Sequence, residues 1–536
     1  MNVADIGAID AGGFCPRATE IFQEGFSTTG LKLIERGKVR RDILGTILNM
    51  VRDPGMVALD LKLQIAASNV AKSRFLDVVE KYGWDVVDEV SRTLISQSEN
   101  LLRRRLTEFP DGVWRAREYM DMPEKTYKYR LAMQKKNDEL SFDFTGSSEQ
   151  APISVNCTYW ATYGGVFAPL FPLLCHDITW NDGVIKPISI IAPEGTIVNC
   201  KRPAPVSVAT ISSLKIVNNL ATMVISKLLM TSPKYKNVAT VVWQGTHTPV
   251  IWFGITQFRE FFVTPVTDGF GGSGGARTFR DGVDVGGELA NVFLRWANVE
   301  THEQDTPVLY LFRKRLVDSG GPGRYRGGIS HEYAVIPYDA PYGEIRAKLF
   351  TKGVKVPLSH GVSGGYGDPL EREPQAVRTD LLEGIVSADS AGKVYVVVVD
   401  PTGRKLDEET TRLRRDRIRE DRLKHSRANK QSIGKLQGKS ESTGFMLNEY
   451  LQVVRSSEGK GYFQCQKCNH VICAVEDKWK EHAPMRESPV NSVNDGGADG
   501  GNGFVLREFF CQGCGTLLEV EVAEKGEELI YDEIRV

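Results

Sequence analysis

Two short cysteine pairs near the C-terminus constrain this chain more than any other feature: Cys465-Gln466-Lys467-Cys468 and Cys511-Gln512-Gly513-Cys514. Each Cys-x-x-Cys forms a tight knuckle whose two thiolates point the same way. Two knuckles complete the tetrahedral shell of a zinc ion. The 42 residues between the pairs exceed what a compact zinc ribbon needs, so a small domain must bring the knuckles together. Four free thiols are the bland alternative. Disulfides fit less well, because Cys15, Cys157, Cys175, Cys200 and Cys473 are scattered and odd in number, as in a reducing compartment. Cys473, His470 and His482 are available as substitute ligands, although the four knuckle cysteines suffice. The spacing predicts a structural Zn2+ and a separate C-terminal module.

A chain of 536 residues is long enough for several domains, each with its own core. Hydrophobic residues make up 41%, and no run approaches the ~20 apolar residues that cross a bilayer. With no basic-then-apolar leader pattern either, the expectation is a soluble, cytoplasmic protein with no membrane partner. A net charge of −1 supplies no overall field to recruit nucleic acid. Charge is nevertheless uneven. Arg404 to Ser440 holds 13 Lys/Arg against 6 Asp/Glu, whereas Phe445 to Val536 holds 9 against 16. The basic stretch, with sparse apolar residues at Leu413, Ile418 and Leu423, reads as a solvated helix or a subunit contact leading to a polar linker.

Residues from about 30 to 106 are helical in pattern, with Leu44, Ile47, Leu48, Val51 and then Met56, Leu59, Leu63 on helical faces. Asp53-Pro54-Gly55 breaks the run, and a second interruption falls near Tyr82-Gly83. After Lys125 the texture changes to short strands. Leu140–Phe144 alternates with period two and ends on Thr145-Gly146-Ser147. Apolar runs at Pro187–Ala192, Val238–Val242 and Val394–Val399 read as buried strands, and Ile216–Leu229 reads as a helix. Glycines cluster at 269–275, 320–328 and 361–367, which implies tight turns and close backbone approach. Tyr159, Trp160 and Tyr163 read as core. The fold class is α+β, multi-domain, with a helical N-terminal part and a small β-rich zinc-binding domain at the C-terminus.

Four stretches together resemble the hydantoinase B/oxoprolinase family. They are Phe142-Asp143-Phe144-Thr145-Gly146-Ser147-Ser148; Asn181-Asp182-Gly183 with Ala192-Pro193-Glu194-Gly195-Thr196; Gly271-Gly272-Ser273-Gly274-Gly275-Ala276-Arg277; and Asp318-Ser319-Gly320-Gly321-Pro322-Gly323-Arg324-Tyr325-Arg326-Gly327-Gly328. Ala4-Asp5-Ile6-Gly7 fits the same family, as do Ala18-Thr19-Glu20-Ile21 and Glu24-Gly25. The likeness is collinear over roughly residues 1–400. Trp479-Lys480 and Leu506 to Glu521, around the second knuckle, resemble the γ subunit of acetone carboxylases. Asn156–Tyr159, Gly164–Pro169 and Ser232–Tyr235 look closer to acetone and acetophenone carboxylase large subunits than to hydantoinases. The resulting division is a hydantoinase-B-like body over 1–425, a polar linker over 426–444 and a γ-like zinc-binding domain over 445–536.

The resemblance implies a complex with a hydantoinase-A-like, ATP-binding partner and further carboxylase subunits. That partner phosphorylates bicarbonate and the enol of a ketone, and the hydantoinase-B-like subunit houses carbon–carbon bond formation near a divalent metal. No Gly-x-x-x-x-Gly-Lys-Ser/Thr occurs here, which fits delegation of ATP to the partner. Relatives carry, ahead of the Ala-Asp block, a His-x-x-Asp pair and a further histidine that bind the metal. Here Asn2 and Val3 precede Ala4-Asp5. A central Mn2+ or Zn2+ therefore requires ligands from another chain, unless this is a fragment or the metal has been lost.

Candidate catalytic residues are Asp5, Asp143, Asp182 and Arg277. Asp5 offers a carboxylate to a metal or ligand. Asp143 and Asp182 each have a turn-forming alternative. Glu20 and Glu24 are either paired carboxylates or a surface i,i+4 pair. Gly271, Gly272, Gly274 and Gly275 can turn backbone N–H groups toward a phosphate or carboxylate, with Arg277 making a bidentate contact. Asp268, Glu300, His302 and Glu303 are polar neighbours in this scheme. Arg324 and Arg326 hold either a phosphate or a structural corner, and His176 and His247 are either proton shuttles or structural. The functional expectation is a subunit of an ATP-dependent ketone carboxylase. The alternatives are an ATP-dependent cyclic-amide hydrolase subunit and a non-catalytic scaffold.

Overall fold

The computed structural model describes residues 5–122, 125–243, 250–265, 272–286, 289, 298–338, 346–349, 364–436, 440–490 and 503–535. The N-terminal third is helical, with α1 (Arg41–Leu48), α2 (Pro54–Tyr82) and α3 (Trp84–Leu106). Asp53 caps α2 by accepting from the Met56 amide at 3.0 Å, and Pro54 opens the first turn, where its missing N–H costs nothing. Gly83, at φ +83°, separates α2 from α3. Only the ends of this pair near the body are buried, and α2 and α3 carry exposed apolar side chains such as Leu63, Val70 and Trp84 along their lengths.

The body is organised on a five-stranded sheet. Its strands are β1 (Asp111–Asp121), β2 (Thr126–Lys136), β3 (Glu139–Asp143), β4 (Ile188–Ile191) and a C-terminal strand at Glu533–Arg535. The C-terminal strand lies antiparallel on the free edge of β1, the first three body strands form an antiparallel meander, and β4 runs parallel to β3. Period-two alternation gives the sheet two faces. Trp114, Ala116, Tyr129, Leu131, Met133 and Phe142 are buried in the core formed with α4 (Tyr159–Leu174) and α5 (Ser213–Met230). A Cβ at Gly165 would stand 2.8 Å from a Val217 methyl, so α4 and α5 cross only because that position is glycine.

Arg115, Arg117, Lys128 and Arg130 point to the other face, which the C-terminal domain covers. That domain has a four-stranded sheet of β5 (Ser440–Met446), β6 (Leu451–Ser456), β7 (Gly461–Cys465) and β8 (Val471–Ala474). A three-stranded sheet of β9 (Met485–Pro489), β10 (Phe504–Phe510) and β11 (Leu517–Glu524) follows, and Glu533–Arg535 is β12. Arg117 pairs with Glu521 and Glu527, Lys128 with Glu527 at 2.9 Å, and Lys227 of α5 with Asp532 at 2.9 Å. One hydrophobic core runs from Trp114 and Leu220 in the body to Phe463, Phe509 and Ile534 in the C-terminal domain. Residues expected as linker also pack: Arg427 exchanges backbone hydrogen bonds with Met485, and Gly434 with Val471.

The structure corrects three sequence expectations. The basic stretch is a helix, α6 (Glu408–Lys424), but it is not simply solvated. Arg422 clamps Asp368 at 2.7 and 3.1 Å, Arg419 reaches Glu371 at 2.7 Å, and Arg415 donates to the Tyr395 carbonyl. Val238–Val242 and Val394–Val399 are only partly buried and are not ladder strands. In the second, Val396 sits at φ +54°, and the Val397 and Val398 amides go to Ala391 O and Thr411 Oγ1. Trp160 is 72% exposed rather than core; it leads an aromatic stack through Tyr163 and Phe167 to Phe171 and Trp180. Among the described residues, no helix is long and apolar enough to cross a membrane.

Candidate functional site

The four knuckle cysteines converge. Cys465 ends β7, Cys511 follows β10, and all four Sγ atoms lie within 4.8 Å of one another. Cys465 and Cys514 are separated by 3.9 Å, Cys468 and Cys511 by 3.5 Å. Thiolates about 2.3 Å from a tetrahedral zinc stand about 3.8 Å apart, whereas a disulfide requires about 2.0 Å. Each knuckle is closed by the residue after its second cysteine. Asn469 (φ +59°) and Gly515 (φ +66°) adopt the left-handed conformation and return their amides to Cys465 O and Cys511 O. A Cβ on Gly513 would sit 3.0 Å from Cys468 Sγ and 2.8 Å from His470 Cβ, so the second knuckle closes on a glycine.

The surroundings hold this geometry. Thr516 Oγ1 lies 3.2 Å from Cys514 Sγ. His470 is turned to Ser432 Oγ at 2.7 Å and His482 to the Gln431 carbonyl at 2.8 Å, and neither belongs to the four-sulfur cluster. Lys467, inside the first knuckle, pairs with Glu371 of the body, which also holds Arg419. Among the described residues this is the only cluster of three or more His, Cys, Asp or Glu side chains able to hold a metal.

The glycine clusters form a second convergent feature. Gly272, Gly274 and Gly275 are buried, whereas Gly271, Asp268 and His247 lie outside the described residues. The Gly274 amide donates to Val283 O at 2.8 Å, Ala276 to Gly364 O at 3.1 Å, and Arg277 to Arg280 O at 3.0 Å. Gly328 in turn donates to Gly274 O at 2.9 Å. A Cβ at Gly275 would stand 2.1 Å from Val241 O, and one at Gly328 2.0 Å from Val283 O. The loops therefore meet backbone to backbone, and the Gly274, Ala276 and Arg277 N–H groups face carbonyls rather than an anion. Arg277's side chain is different. Burial, and then the neighbouring Arg280, lower its pKa, and it has no ion pair among the described residues.

The remaining candidates do not converge. Buried Asp5 accepts from the Gly12 amide at 2.9 Å, the Arg52 amide at 2.6 Å and Arg52 Nη1 at 3.2 Å, locking the N-terminal loop to the α1–α2 junction. Asp143 accepts from the Thr145 amide at 2.8 Å and ties the turn after β3. Asp182 is exposed at the start of a short 3-10 turn, where Asn181 supplies the cap. No hydrogen bond or ion pair among the described residues joins Asp5, Asp143, Asp182 and Arg277. Glu24, rather than Glu20, reaches inward, accepting from the Val206 and Ser207 amides at 2.7 Å each. His302 is held by Tyr310 OH at 2.8 Å, with Glu303 on the Tyr310 amide and Glu300 in the first turn of its short helix. His176 lies on the surface beside Asp177, which pairs with Arg105. Arg326 sits buried among Asp281, Asp284 and Asp380, so the 320–328 stretch is a structural corner, and Arg324 pairs with Glu449 at 2.7 Å.

Residues 1–399 match the family described as hydantoinase B/oxoprolinase. The chain belongs to this family. Residues 440–534 match a second family, the acetone carboxylase gamma subunit. The acetophenone carboxylase delta subunit of Aromatoleum aromaticum is 24% identical over 497 residues, covering 77% of this chain and 72% of the relative. The caprolactamase subunit beta of Pseudomonas jessenii is 25% identical over 465 residues, covering 77% and 78%. A solved acetone carboxylase chain superposes with a TM-score of 0.71 at 21% identity, over 79% of this chain and 68% of that one, and thus shares its fold.

One buried carboxyl of this hydantoinase B/oxoprolinase body gave no sequence signal, because it sits in an ordinary alternating strand. Glu118 of β1 accepts from Asn219 Nδ2 at 3.3 Å, while its Oε2 is buried without a partner among the described residues. Burial pushes its pKa up from 4.5 to about 8, against the Asn219 hydrogen bond. The folded state then holds a proton that the unfolded chain releases, so this group's contribution to stability is complete below 4.5 and lost as pH rises through about 8. Glu118→Gln is expected to flatten the dependence of the denaturation midpoint on pH across that window. An unchanged slope would remove Glu118 as its source.

Proposed function

We propose that this chain is a subunit of an ATP-dependent ketone carboxylase of the acetone/acetophenone type, forming part of the chamber in which an activated enol meets activated bicarbonate. The observation that carries this reading is the joining, in one chain, of a hydantoinase B/oxoprolinase body and an acetone carboxylase gamma-type domain. Bicarbonate is a poor electrophile and a ketone a poor carbon nucleophile at neutral pH, so both need activation. We assign that step to a hydantoinase-A-like, ATP-binding partner, with further carboxylase subunits in the assembly.

The four cysteines fit a structural Zn2+ in donor type, number and spacing. With all four positions filled by sulfur, the ion's contribution is to folding rather than to the reaction. A central divalent metal fits less well. Both Asp5 oxygens are already engaged, and no second ligand cluster occurs among the described residues, so no step is assigned to such a metal here. Arg277 is the residue we assign to the anionic substrate, because it is a half-buried cation with no described carboxylate partner. In the assembled complex Arg277→Ala is expected to lower kcat by about 100-fold while the subunits still co-purify. Unchanged turnover would favour the non-catalytic scaffold.

The cyclic-amide hydrolase reading has its own support in the caprolactamase subunit, which matches this chain over a similar length. ATP consumption by the complex that co-purifies with this chain separates the two. Stimulation by a ketone only with bicarbonate present is the carboxylase result. Stimulation by a lactam regardless of bicarbonate is the hydrolase result and would displace the proposal.

A further inference from the structure

We propose that the C-terminal domain is a built-in counterpart of a gamma-type subunit: it covers in cis the face and edge of the body sheet, and the assembly containing this chain holds no separate polypeptide of that type. The inference rests on the family matches and the interface, and stands whichever reaction the complex performs.

The contact has the character of a permanent interface. Its hydrophobic core is continuous with that of the body, as in obligate subunit contacts. Its charges are complementary and desolvated. The side chains of Arg117 and Glu521 are 3% and 7% exposed, and Glu521 also receives Lys480 at 3.0 Å. A buried pair of this kind is stable only while both partners stay in place. The last strand adds to the sheet edge, with Glu533, Ile534 and Arg535 opposite Val113, Gly112 and Asp111. Gly112 makes that approach possible, since a Cβ there would lie 2.4 Å from the Glu533 carbonyl oxygen. With this edge and face occupied from within the chain, a second domain of the same kind has no equivalent place to dock.

Two experiments on the full chain test this. Recovery of the tagged chain with its natural partners, followed by native mass spectrometry, should give no polypeptide bearing a second pair of gamma-type Cys-x-x-Cys knuckles. A stoichiometric gamma-type chain would overturn the proposal. In the isolated full chain, Gly112→Val should raise amide exchange together in residues 111–121 and 517–535, by about tenfold or more. Exchange unchanged in both segments, or raised in 517–535 alone, would overturn the claim of a shared interface. If Gly112→Val does not accumulate, Arg117→Ala, Glu521→Ala and their double variant replace it. Non-additive losses of protection in both segments are expected, and additive ones would count against the interface.

Discussion

Cys511→Ser is expected to empty the four-sulfur site and unfold the C-terminal domain. Cys511 is fully buried and lies 3.5 Å from Cys468 in the opposite knuckle, so its loss removes a ligand and a link between the two halves of the domain. Structural zinc binding contributes apparent free energies of about 10–16 kcal/mol in small zinc-dependent folds, as large as the whole stability of a typical domain. The damage should reach the body, because Phe509 and Ile534 share a core with Trp114 and Leu220. Metal analysis together with a thermal melt checks this. The expected result is loss of the bound zinc and a lowered transition for the whole chain. Full metal content, or an unchanged melt, would reject the site as the organiser of this domain.

Asp368→Ala should have the next largest effect. Its carboxylate is fully buried and accepts from Arg422, the Leu517 amide at 2.9 Å and the Leu370 amide at 3.0 Å, while its backbone amide donates to the Tyr450 hydroxyl at 3.0 Å. A single side chain thereby joins the body, the basic helix and the three-stranded sheet of the C-terminal domain. Removing one member of a buried pair leaves the other charge uncompensated and costs about 3–5 kcal/mol. By contrast, Asp88→Ala breaks only an exposed i,i+4 pair with Arg92 and should cost less than about 0.5 kcal/mol. Denaturant midpoints of the two variants, measured side by side, check the difference. Equal shifts would deny Asp368 its organising role.

What was legible in the sequence follows from how local each signal is. The cysteine knuckles are set by spacing and turn chemistry within a few residues, and the cysteines do converge. Helix α5 was readable because Val217, Leu220, Val224, Ile225, Leu228 and Leu229 recur at helical spacing, and strand β3 because Leu140 and Phe142 alternate with more exposed neighbours. The basic helix was misread because its partners, Asp368 and Glu371, lie about fifty residues earlier in the chain. Val394–Val399 has the composition of a strand, but its amides are satisfied by a preceding helix and a threonine hydroxyl rather than by a ladder. The glycine loop is the most instructive case. Its sequence permits N–H groups to face an anion and equally permits the backbone contacts observed, and only the positions of Val283, Gly364 and Arg280 distinguish them. Arg277 remains as the part of that motif whose side chain has no described acidic partner.

The most direct measurement for the carboxylase reading is transfer of isotopically labelled bicarbonate into organic acid by the complex that co-purifies with this chain, supplied with ATP and a ketone. The expected product is a labelled β-keto acid whose formation requires both ATP and ketone. ATP-driven opening of a lactam by the same preparation, with no label fixed from bicarbonate for any ketone supplied, would contradict the account and make this chain part of an amide hydrolase.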